Sequence, residues 1–186
     1  MAQPRPVMSH AQYLELERRS EEKHEYLRGE VWAMAGGTPS HARIAANVIG
    51  TLIAALRGKP CGVFSSDLRV RVVETDRSTY PDVTVICGKR EIAADDENAV
   101  VNPTLIVEVL SDATEASDRG EKFAHLQRLA SLQEYVLVSQ REQRVEVFRR
   151  GEGATWTLLP YTSGRVALSS VDAALDFADI YADPTA

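Results

Sequence analysis

The sequence predicts a protein of the α/β class, and three observations support that prediction. Two short runs rich in Val and Ile, Pro81–Cys87 and Thr104–Leu110, are typical of buried strands. Apolar residues recur at helical spacing from Thr38 to Leu56, which indicates an amphipathic helix. The composition, 44% hydrophobic and 26% charged, is ordinary for a globular protein, and 186 residues are enough for one domain, residues 1–186.

The N-terminal third is predicted to contain a helix, two strands and a second helix. The capping box SHAQ predicts a helix over Ser9–Arg19. The segment His24–Met34 is typical of two short strands around a glycine-containing turn. The second helix begins at Thr38, with a proline in its favoured first turn, and ends at Gly58-Lys59-Pro60.

The middle of the chain is predicted to add more strands and a long loop. Val63–Val73 is strand-like, and its alternation is expected to point the apolar side chains inward and Arg69 and Arg71 outward. Asp76–Thr79 is expected to be a turn. Gly88–Asn102 is expected to be a loop of about 15 residues, long enough to be functional or mobile.

The C-terminal part is predicted to contain a helix, a three-stranded meander and a final short helix. The first of these helices begins near Asp118 and continues to about Ser131. The strands are expected at Tyr135–Ser139, Arg144–Arg149 and Ala154–Pro160, and the final helix at Asp176–Tyr181.

Composition argues against several functional classes. No apolar run approaches the ~18 residues that a membrane span needs. The first residues lack the apolar middle region of a signal peptide, so a cytoplasmic location is expected. Cys61 and Cys87 form no Cys-x-x-Cys pair, which argues against a disulfide scaffold and a structural zinc site. The net charge of −6 argues mildly against a protein that coats DNA, but not against an enzyme with a local basic face.

Two carboxylates on the predicted core strands are the strongest functional signal. Glu108 lies in the middle of one apolar run and Asp82 heads the other. A carboxylate in a buried strand is costly unless it is paired or bound to a metal, and Mg²⁺ is commonly held by one or two carboxylates with water and substrate phosphate. Lys122, on the following helix, can stabilise developing negative charge. These three residues form a candidate metal-dependent hydrolytic site.

Each of these residues also has a purely structural interpretation. Lys122 follows Asp118 by one helical turn, so the two can pair in solvent. Asp82 can simply end a turn after Pro81. Glu108 is the hardest to explain structurally, because both of its neighbours are strongly apolar.

Further candidates would contact the substrate. His41, near a helix start, either contacts substrate phosphate or is a polar residue that faces solvent. A basic stripe either neutralises DNA phosphates or is a scattered solvated surface. Trp32 and Trp156 are expected to be core aromatics rather than platforms for base stacking. The stripe consists of Arg43, Arg57, Arg69 and Arg71.

The motifs also resemble a known family. Pro81-Asp82 followed by Glu108-Val109-Leu110 resembles the PD-(D/E)XK nuclease superfamily. More closely, YPDVTVI, PTLIVEVLSDAT and DRGEKFAHLQRLASLQEYVLVS look like the bacterial Uma-two family, which is assigned to the restriction endonucleases. The opening segment His24–Val31, with Met34 and then His41, is similar as well, and the resemblance extends from about Met8 to Tyr181.

The resemblance implies a restriction-endonuclease-like core, with a central mixed β-sheet flanked by helices. It implies that Asp82 and Glu108 bind Mg²⁺, for which Mn²⁺ can substitute, and that a carbonyl of Leu110 or Val109 completes the metal's ligands. It makes Lys122 the catalytic lysine, displaced onto the helix, since the superfamily's lysine position holds Leu110. It also gives Glu25 a role as an additional acidic residue; the alternative is that Glu25 only pairs with Arg28 or Lys23. Leu126 stands where related sequences more often have tyrosine.

The function expected from these observations is metal-dependent hydrolysis of phosphodiester bonds in nucleic acid, with DNA as the expected substrate. The resemblance also suggests a homodimer, and the predicted C-terminal meander offers an exposed edge for pairing. Two alternatives stay open: a nucleic-acid-binding or interaction protein that keeps the fold without turnover, and a subunit that acts only with a partner.

Overall fold

The structure, a computed structural model, describes residues 7–34 and 36–185. Part of the N-terminal segment considered above as a signal peptide therefore lies outside the described residues. The described chain folds into two six-stranded sheets, here named A and B, and a two-stranded sheet C. In sheet A the order is β2 (Glu30–Ala33), β1 (His24–Leu27), β5 (Arg77–Thr79), β4 (Arg69–Val72), β8 (Asp96–Val100), β7 (Ile92–Ala93).

Sheet B carries most of the core. Its order is β12 (Trp156–Tyr161), β11 (Val145–Arg150), β10 (Glu134–Ser139), β9 (Leu105–Leu110), β6 (Val83–Cys87), β3 (Cys61–Ser65), and sheet C pairs β13 (Arg165–Leu168) with β14 (Ala173–Asp176). The helices are α1 (His10–Arg19), α2 (Pro39–Ala55), α3 (Glu115–Ser117), α4 (Phe123–Leu126) and α5 (Phe177–Ile180). A π-helical segment, Asp118–Lys122, connects α3 to α4.

Sheet B is mixed, as the sequence predicts, and both of its faces are covered. β9 and β10 are parallel, whereas the other neighbours in this sheet are antiparallel. One face packs against α2, α5 and sheet C. The other face packs against α4 and against sheet A, through side chains of β4 and β8. Because every residue of β9 is buried, its sequence reads as a nearly continuous apolar run, and Glu108 stands out in it.

The helix starts follow their local chemistry. The Ser9 side chain accepts a hydrogen bond from the main-chain N–H of Gln12, and the Gln12 side chain accepts one from the N–H of Ser9, which is the predicted capping box. The Thr38 hydroxyl caps α2 by accepting from the N–H of His41, with Pro39 in the first turn. Capping of α2 therefore fixes where His41 stands.

Several element predictions were wrong. The expected turn at Asp76–Thr79 contains β5, which pairs with both β1 and β4. The expected loop at Gly88–Asn102 contains the hairpin β7–β8, and the hairpin of sheet C was not predicted. The helix expected to reach Ser131 is divided into α3, the π-helical segment and α4, and it ends at Leu126. These strands are only two to five residues long, so tertiary pairing rather than periodicity defines them.

The prediction that Arg69 and Arg71 point outward was also wrong. Both are buried, at 7% and 3% exposed, because α1 and the β7–β8 hairpin cover that face of β4. Arg69 pairs with Asp96 and lies over the Tyr80 ring, and Arg71 pairs with Asp95. Alternation showed that the two arginines share a face, but not that this face is covered.

The cysteines form a cross-strand disulfide. Cys61 and Cys87 are opposite each other in β3 and β6, with their Cα atoms 4.0 Å apart. The sequence argued against a disulfide scaffold because it has only two cysteines and they form no Cys-x-x-Cys pair. Antiparallel pairing of their strands brings them together nonetheless.

Candidate active site

The candidate site begins where β6 and β9 stop pairing. The last pair of this ladder is Val83 with Val107, just before Asp82 and Glu108. Beyond it, side chains replace the main-chain ladder: the N–H of Asp82 donates to Glu108 Oε2 at 3.2 Å, and the N–H of Val109 donates to Asp82 Oδ2 at 2.7 Å. These reciprocal bonds hold the two carboxylates next to each other, as their positions on adjacent strands predict.

Lys122 reaches this pair from the π-helical segment. Its Nζ lies 2.8 Å from Glu108 Oε1, so the prediction that Lys122 points toward the carboxylates is confirmed. The Tyr135 hydroxyl donates to the carbonyl of Asp118 at 3.0 Å, and Arg119 pairs with Glu146 of β11, so two contacts fasten the segment to sheet B. π-helical turns often occur at functional sites, and this one brings Asp118 and Lys122 to the same cavity.

Glu25 enters the site from sheet A. Its Oε1 lies 3.2 Å from Lys122 Nζ, and its Oε2 accepts from Arg77 at 3.0 Å. The Thr79 hydroxyl also donates to Glu25. Burial alone would raise the pKa of Glu25, but Lys122 and Arg77 lower it below its usual value. Glu25 is therefore an ionised partner of the lysine.

Glu108 has the opposite electrostatics. Burial raises its pKa well above the usual value, and the neighbouring charges of Asp118 and Asp82 add to this effect against the attraction of Lys122. Burial likewise raises the pKa of Asp118. For Lys122, burial would lower the pKa, but Glu108, Glu25 and Asp118 together raise it, so the ammonium form is stabilised. The site thus holds more buried negative charge than its lysine compensates.

His41 contacts the other carboxylate. Its Nε2 lies 3.2 Å from Asp82 Oδ2, and the side chain is 18% exposed. The hydrogen bond to Asp82 raises the pKa of His41, against the effect of burial. Of the two interpretations of His41, the one in which it is a solvent-facing residue of the helix start does not fit this contact.

A cavity of about 830 Å³ opens over these residues. Trp32 lines it and is 38% exposed, so the expectation that Trp32 is a core aromatic was wrong. Trp156, by contrast, packs against the core beside Phe123, as expected. The cavity walls come from β1, β2, the start of α2, the loop after β9, the π-helical segment and the turn after β10. The lining side chains with charges are Glu25, His41, Asp82, Glu108, Asp112, Asp118, Lys122 and Arg141.

Other predicted residues lie away from this cavity. Arg69 and Arg71 are engaged in the buried ion pairs of sheet A described above. Arg43 pairs with Asp183 near the C-terminal end of the described chain. The side chain of Leu110 packs in the core, and its carbonyl accepts a hydrogen bond from Gln140 at 2.8 Å. The predicted basic stripe therefore does not border the acids.

Asp118 is the main residue that the sequence interpretation missed. It was considered only as a solvent partner for Lys122, yet it is 4% exposed, lines the cavity and lies 3.6 Å from Lys122 Nζ. The available signal was its spacing of four residues from Lys122, which places both on one side of a helix. Gln140, from the turn after β10, was missed because no local motif marks it.

The residues at the cavity fit a hard divalent cation. Among the described residues, no group of three His, Cys, Asp or Glu side chains is already arranged to hold a metal. Magnesium does not require one, because it binds through one or two carboxylates and keeps water and phosphate as its other ligands. Asp82 and Glu108 could supply that pair. Burial, and then the charges of Asp118 and Asp82, raise the pKa of Glu108, and a dication would favour its ionised form.

Comparison with known proteins gives consistent results. A family model with the description "Uma2: Putative restriction endonuclease" matches residues 10–179. The uncharacterized protein slr1290 of Synechocystis sp. (strain ATCC 27184 / PCC 6803 / Kazusa) is 37% identical over 169 residues, which cover 90% of this chain and 88% of that protein. The uncharacterized protein sll1609 of the same organism is 33% identical over 152 residues, which cover 82% of this chain and 86% of that protein.

A solved structure shares the fold. The crystal structure of a chain described as "a putative nuclease belonging to DUF820", from Anabaena variabilis ATCC 29413, matches with a TM-score of 0.71 at 20% identity. The match covers 91% of this chain and 96% of that chain. The predicted restriction-endonuclease-like fold is thereby confirmed.

Proposed function

Since the chain belongs to the Uma2 (Uma-two) family of restriction endonucleases, we propose that it is a magnesium-dependent endonuclease that hydrolyses phosphodiester bonds of DNA. The observation that carries the proposal is the convergence of Asp82, Glu108 and Lys122 in one cavity, from three separate segments of the chain. Glu108 is buried and the neighbouring Asp82 side chain is only 16% exposed, so two carboxylates lie side by side at the cavity. Strongly perturbed carboxylates in a cleft are a recurrent mark of functional sites.

In this proposal the two carboxylates bind the metal and the lysine stabilises charge. Asp82 and Glu108 would hold the ion, and a main-chain carbonyl of Leu110 or Val109 would complete its ligands; the Leu110 carbonyl also accepts a hydrogen bond from Gln140. When bound, Mg²⁺ polarises the phosphate and lowers the pKa of an attacking water. Mn²⁺ is expected to substitute for it. Lys122 is held as an ammonium group, so it stabilises negative charge on the phosphate rather than accepting a proton.

Two further residues position this centre. Glu25 shares the ammonium of Lys122 with Glu108 and so fixes where that charge lies. His41 binds the Asp82 carboxylate from the start of α2 and fixes its orientation, in reach of a substrate phosphate. Elements from sheet A, sheet B and α2 thus complete one site, which supports our proposal that residues 1–186 act as a single domain.

The test is cleavage of DNA by the purified protein with and without divalent ions. Wild type should nick or cut DNA with Mg²⁺ or Mn²⁺ and not in chelator, and Ca²⁺ should support binding with little cutting, since its looser coordination positions water less strictly. Only cutting that disappears in an identically purified Asp82→Asn protein counts, because contaminating nuclease is the usual error. Binding of metal and DNA without cutting of duplex, single strand or RNA would instead favour the binding-module alternative.

Assembly and location remain proposals taken from the sequence. We propose a homodimer, and light scattering that gives the monomer mass at high protein concentration would exclude it. We also propose a cytoplasmic location. Among the described residues, no helix is both long and apolar enough to cross a membrane. The Cys61–Cys87 disulfide is unusual for a reducing compartment, so the thiol state of the protein isolated from its native cells tests the location directly.

A further inference from the structure

Trp32 is a side chain that neither the core nor the proposed chemistry uses. It belongs to the edge strand β2, is 38% exposed and forms part of the cavity wall. Large aromatic side chains are costly to leave in water and are enriched where they contact ligands. Because Trp32 lines the same cavity as the acidic residues, a ligand with an apolar face would fit there.

Strand pairing places Trp32 close to the reacting centre. Trp32 is the direct cross-strand partner of Glu25, so their side chains emerge on the same face of sheet A about 5 Å apart at Cβ. Glu25 in turn contacts Lys122 Nζ, which contacts Glu108. One side chain, that of Glu25, therefore links the strand position of the indole to the lysine that faces the proposed scissile phosphate.

The indole is also held in place before any ligand arrives. The guanidinium of Arg77 lies 5.7 Å from the centroid of the Trp32 ring. Arg77 is 1% exposed and is fixed by its ion pair with Glu25. A cation over an aromatic ring is attractive, and an aromatic group that is already ordered loses little conformational entropy on binding. Arg77 lies over the ring, and Trp32 is nevertheless 38% exposed and lines the cavity.

The cavity has room for a base as well as for a phosphate. Its volume of about 830 Å³ lies in the range of pockets that enclose a small organic ligand, roughly 300–1,000 Å³. The residues that line it include Trp32, Ala33, Met34 and Val109 as well as the carboxylates and Lys122. A flat apolar group and an anionic group can thus be accommodated together.

We propose, building on the endonuclease function above, that Trp32 stacks on an unpaired nucleobase next to the scissile phosphate. The substrate class is then single-stranded or locally unpaired DNA rather than continuous duplex, because a base within a duplex is already stacked on both faces. Stacking on an aromatic side chain is tolerant of sequence, so this contact selects strand state and not base identity.

The experiment measures binding separately from cutting, with Ca²⁺ present. The chain has two tryptophans, so a Trp156→Phe background makes the fluorescence report Trp32 alone. The probes are oligodeoxythymidylate, an abasic oligonucleotide of the same length and charge, and a blunt duplex. Oligodeoxythymidylate should quench Trp32, whereas the abasic strand and the duplex should quench it little. In anisotropy measurements Trp32→Ala should bind oligodeoxythymidylate about tenfold more weakly or worse, and Trp32→Phe should keep part of the affinity.

The controls separate this inference from loss of structure and from loss of catalysis. Trp32→Ala should bind the abasic strand as wild type does, and Leu158→Ala, at another exposed apolar position (45% exposed), should bind every probe as wild type does. Unchanged affinity of Trp32→Ala for oligodeoxythymidylate, or equal losses for the base-bearing and abasic strands, would overturn the stacking. Selective quenching without any cleavage would leave the stacking intact and reject the nuclease, whereas cleavage with no effect of Trp32→Ala would do the reverse.

Discussion

Glu134 and Glu108 lie on the neighbouring strands β10 and β9, toward opposite ends of this parallel pair, and both are buried, at 0% and 3% exposed. Both oxygens of Glu134 accept hydrogen bonds from Ser169 or Ser170, through main-chain N–H and hydroxyl groups, and Arg149 adds a third partner. Glu108 receives one main-chain N–H and an ammonium that it shares with two other carboxylates.

The difference teaches how to distinguish a buried acid that holds the fold from one that serves a site. Glu134 fastens the loop between β13 and β14 to the sheet, and its donors are present in the folded chain itself. Glu108 is left with a raised pKa and faces a cavity. Under the proposed function, a divalent ion supplies the compensation that Lys122 alone does not give to Glu108. It also lies near the carboxyl end of its strand, where ligands bind in open α/β sheets.

The strongest contrast is expected in catalysis. Asp82→Asn and Glu108→Gln should each reduce metal-dependent cleavage by about 10³-fold or more, because the several kcal/mol of charge stabilisation from the ion are lost. Glu134→Gln, measured per folded molecule, should cut at the wild-type rate. Calorimetry with Mn²⁺ should show binding to Glu134→Gln and to wild type only. Full metal binding by both site variants would contradict the assignment.

Lys122→Ala comes next in size. It should lower the cleavage rate on the order of 10²-fold, as loss of one charge-stabilising group does, while calorimetry still detects the metal. Lys59→Ala is the matched control, since Lys59 pairs with Asp172 away from the site. A Lys122→Ala protein that cuts as fast as the Lys59→Ala protein would remove Lys122 from the mechanism.

For the free energy of unfolding, we expect the opposite: the substitution at Glu134 should destabilise the protein, and a substitution in the site should not. Glu134→Gln removes charge-assisted hydrogen bonds at a buried position and should lower the free energy of unfolding by about 2 kcal/mol. Asp118→Asn should raise it in the metal-free protein, because one of the crowded carboxylates becomes neutral. Urea denaturation in EDTA measures both changes. If Asp118→Asn instead lowered the free energy of unfolding, the negative charges of the site would already be compensated without a metal ion.

The smallest effect concerns pH. Because the pKa values of Glu108 and Asp118 are raised, the metal-free folded protein binds protons more tightly than the unfolded chain. Their contribution to stability is therefore complete below the usual carboxyl values and is lost as pH rises through the raised ones. As pH rises above about 4, the usual carboxyl range, stability should fall more steeply in wild type and in Glu134→Gln than in Asp118→Asn. If stability depended on pH in the same way in wild type, Glu134→Gln and Asp118→Asn, the raised pKa values of Glu108 and Asp118 would be contradicted.

The parts of the fold that follow from sequence are those with a local cause. The capping residues of α1 and α2 and the apolar runs of β6 and β9 were correctly interpreted because periodicity and side-chain chemistry fix them. β5 and β8 could not be predicted, since their residues form strands only because they pair with β4 in sheet A. The buried Arg69 and Arg71 were misplaced for the same reason: Asp96 and Asp95 lie in the hairpin that was expected to be a loop.

The site could be predicted in part for a related reason. Glu108 and Asp82 interrupt the apolar pattern of core strands, so they can be recognised from the sequence alone. Asp118 lies in a polar segment, where an acid is unremarkable until the π-helical turn buries it. Trp32 was assigned to the core because tryptophans usually lie there, and only the exposed position of β2 at an edge shows otherwise.

Pro160 has a consequence for self-association. It lies in β12, the last strand of sheet B in the part of the chain that the structure describes, opposite Glu146. Proline lacks an N–H, and in edge strands it stands with that missing donor on the solvent side. A strand from a second copy would therefore find a gap in the hydrogen-bonding row at this point. The edge is therefore less able to add further strands, and we expect any dimer of this chain to form through side-chain packing rather than through continuation of sheet B.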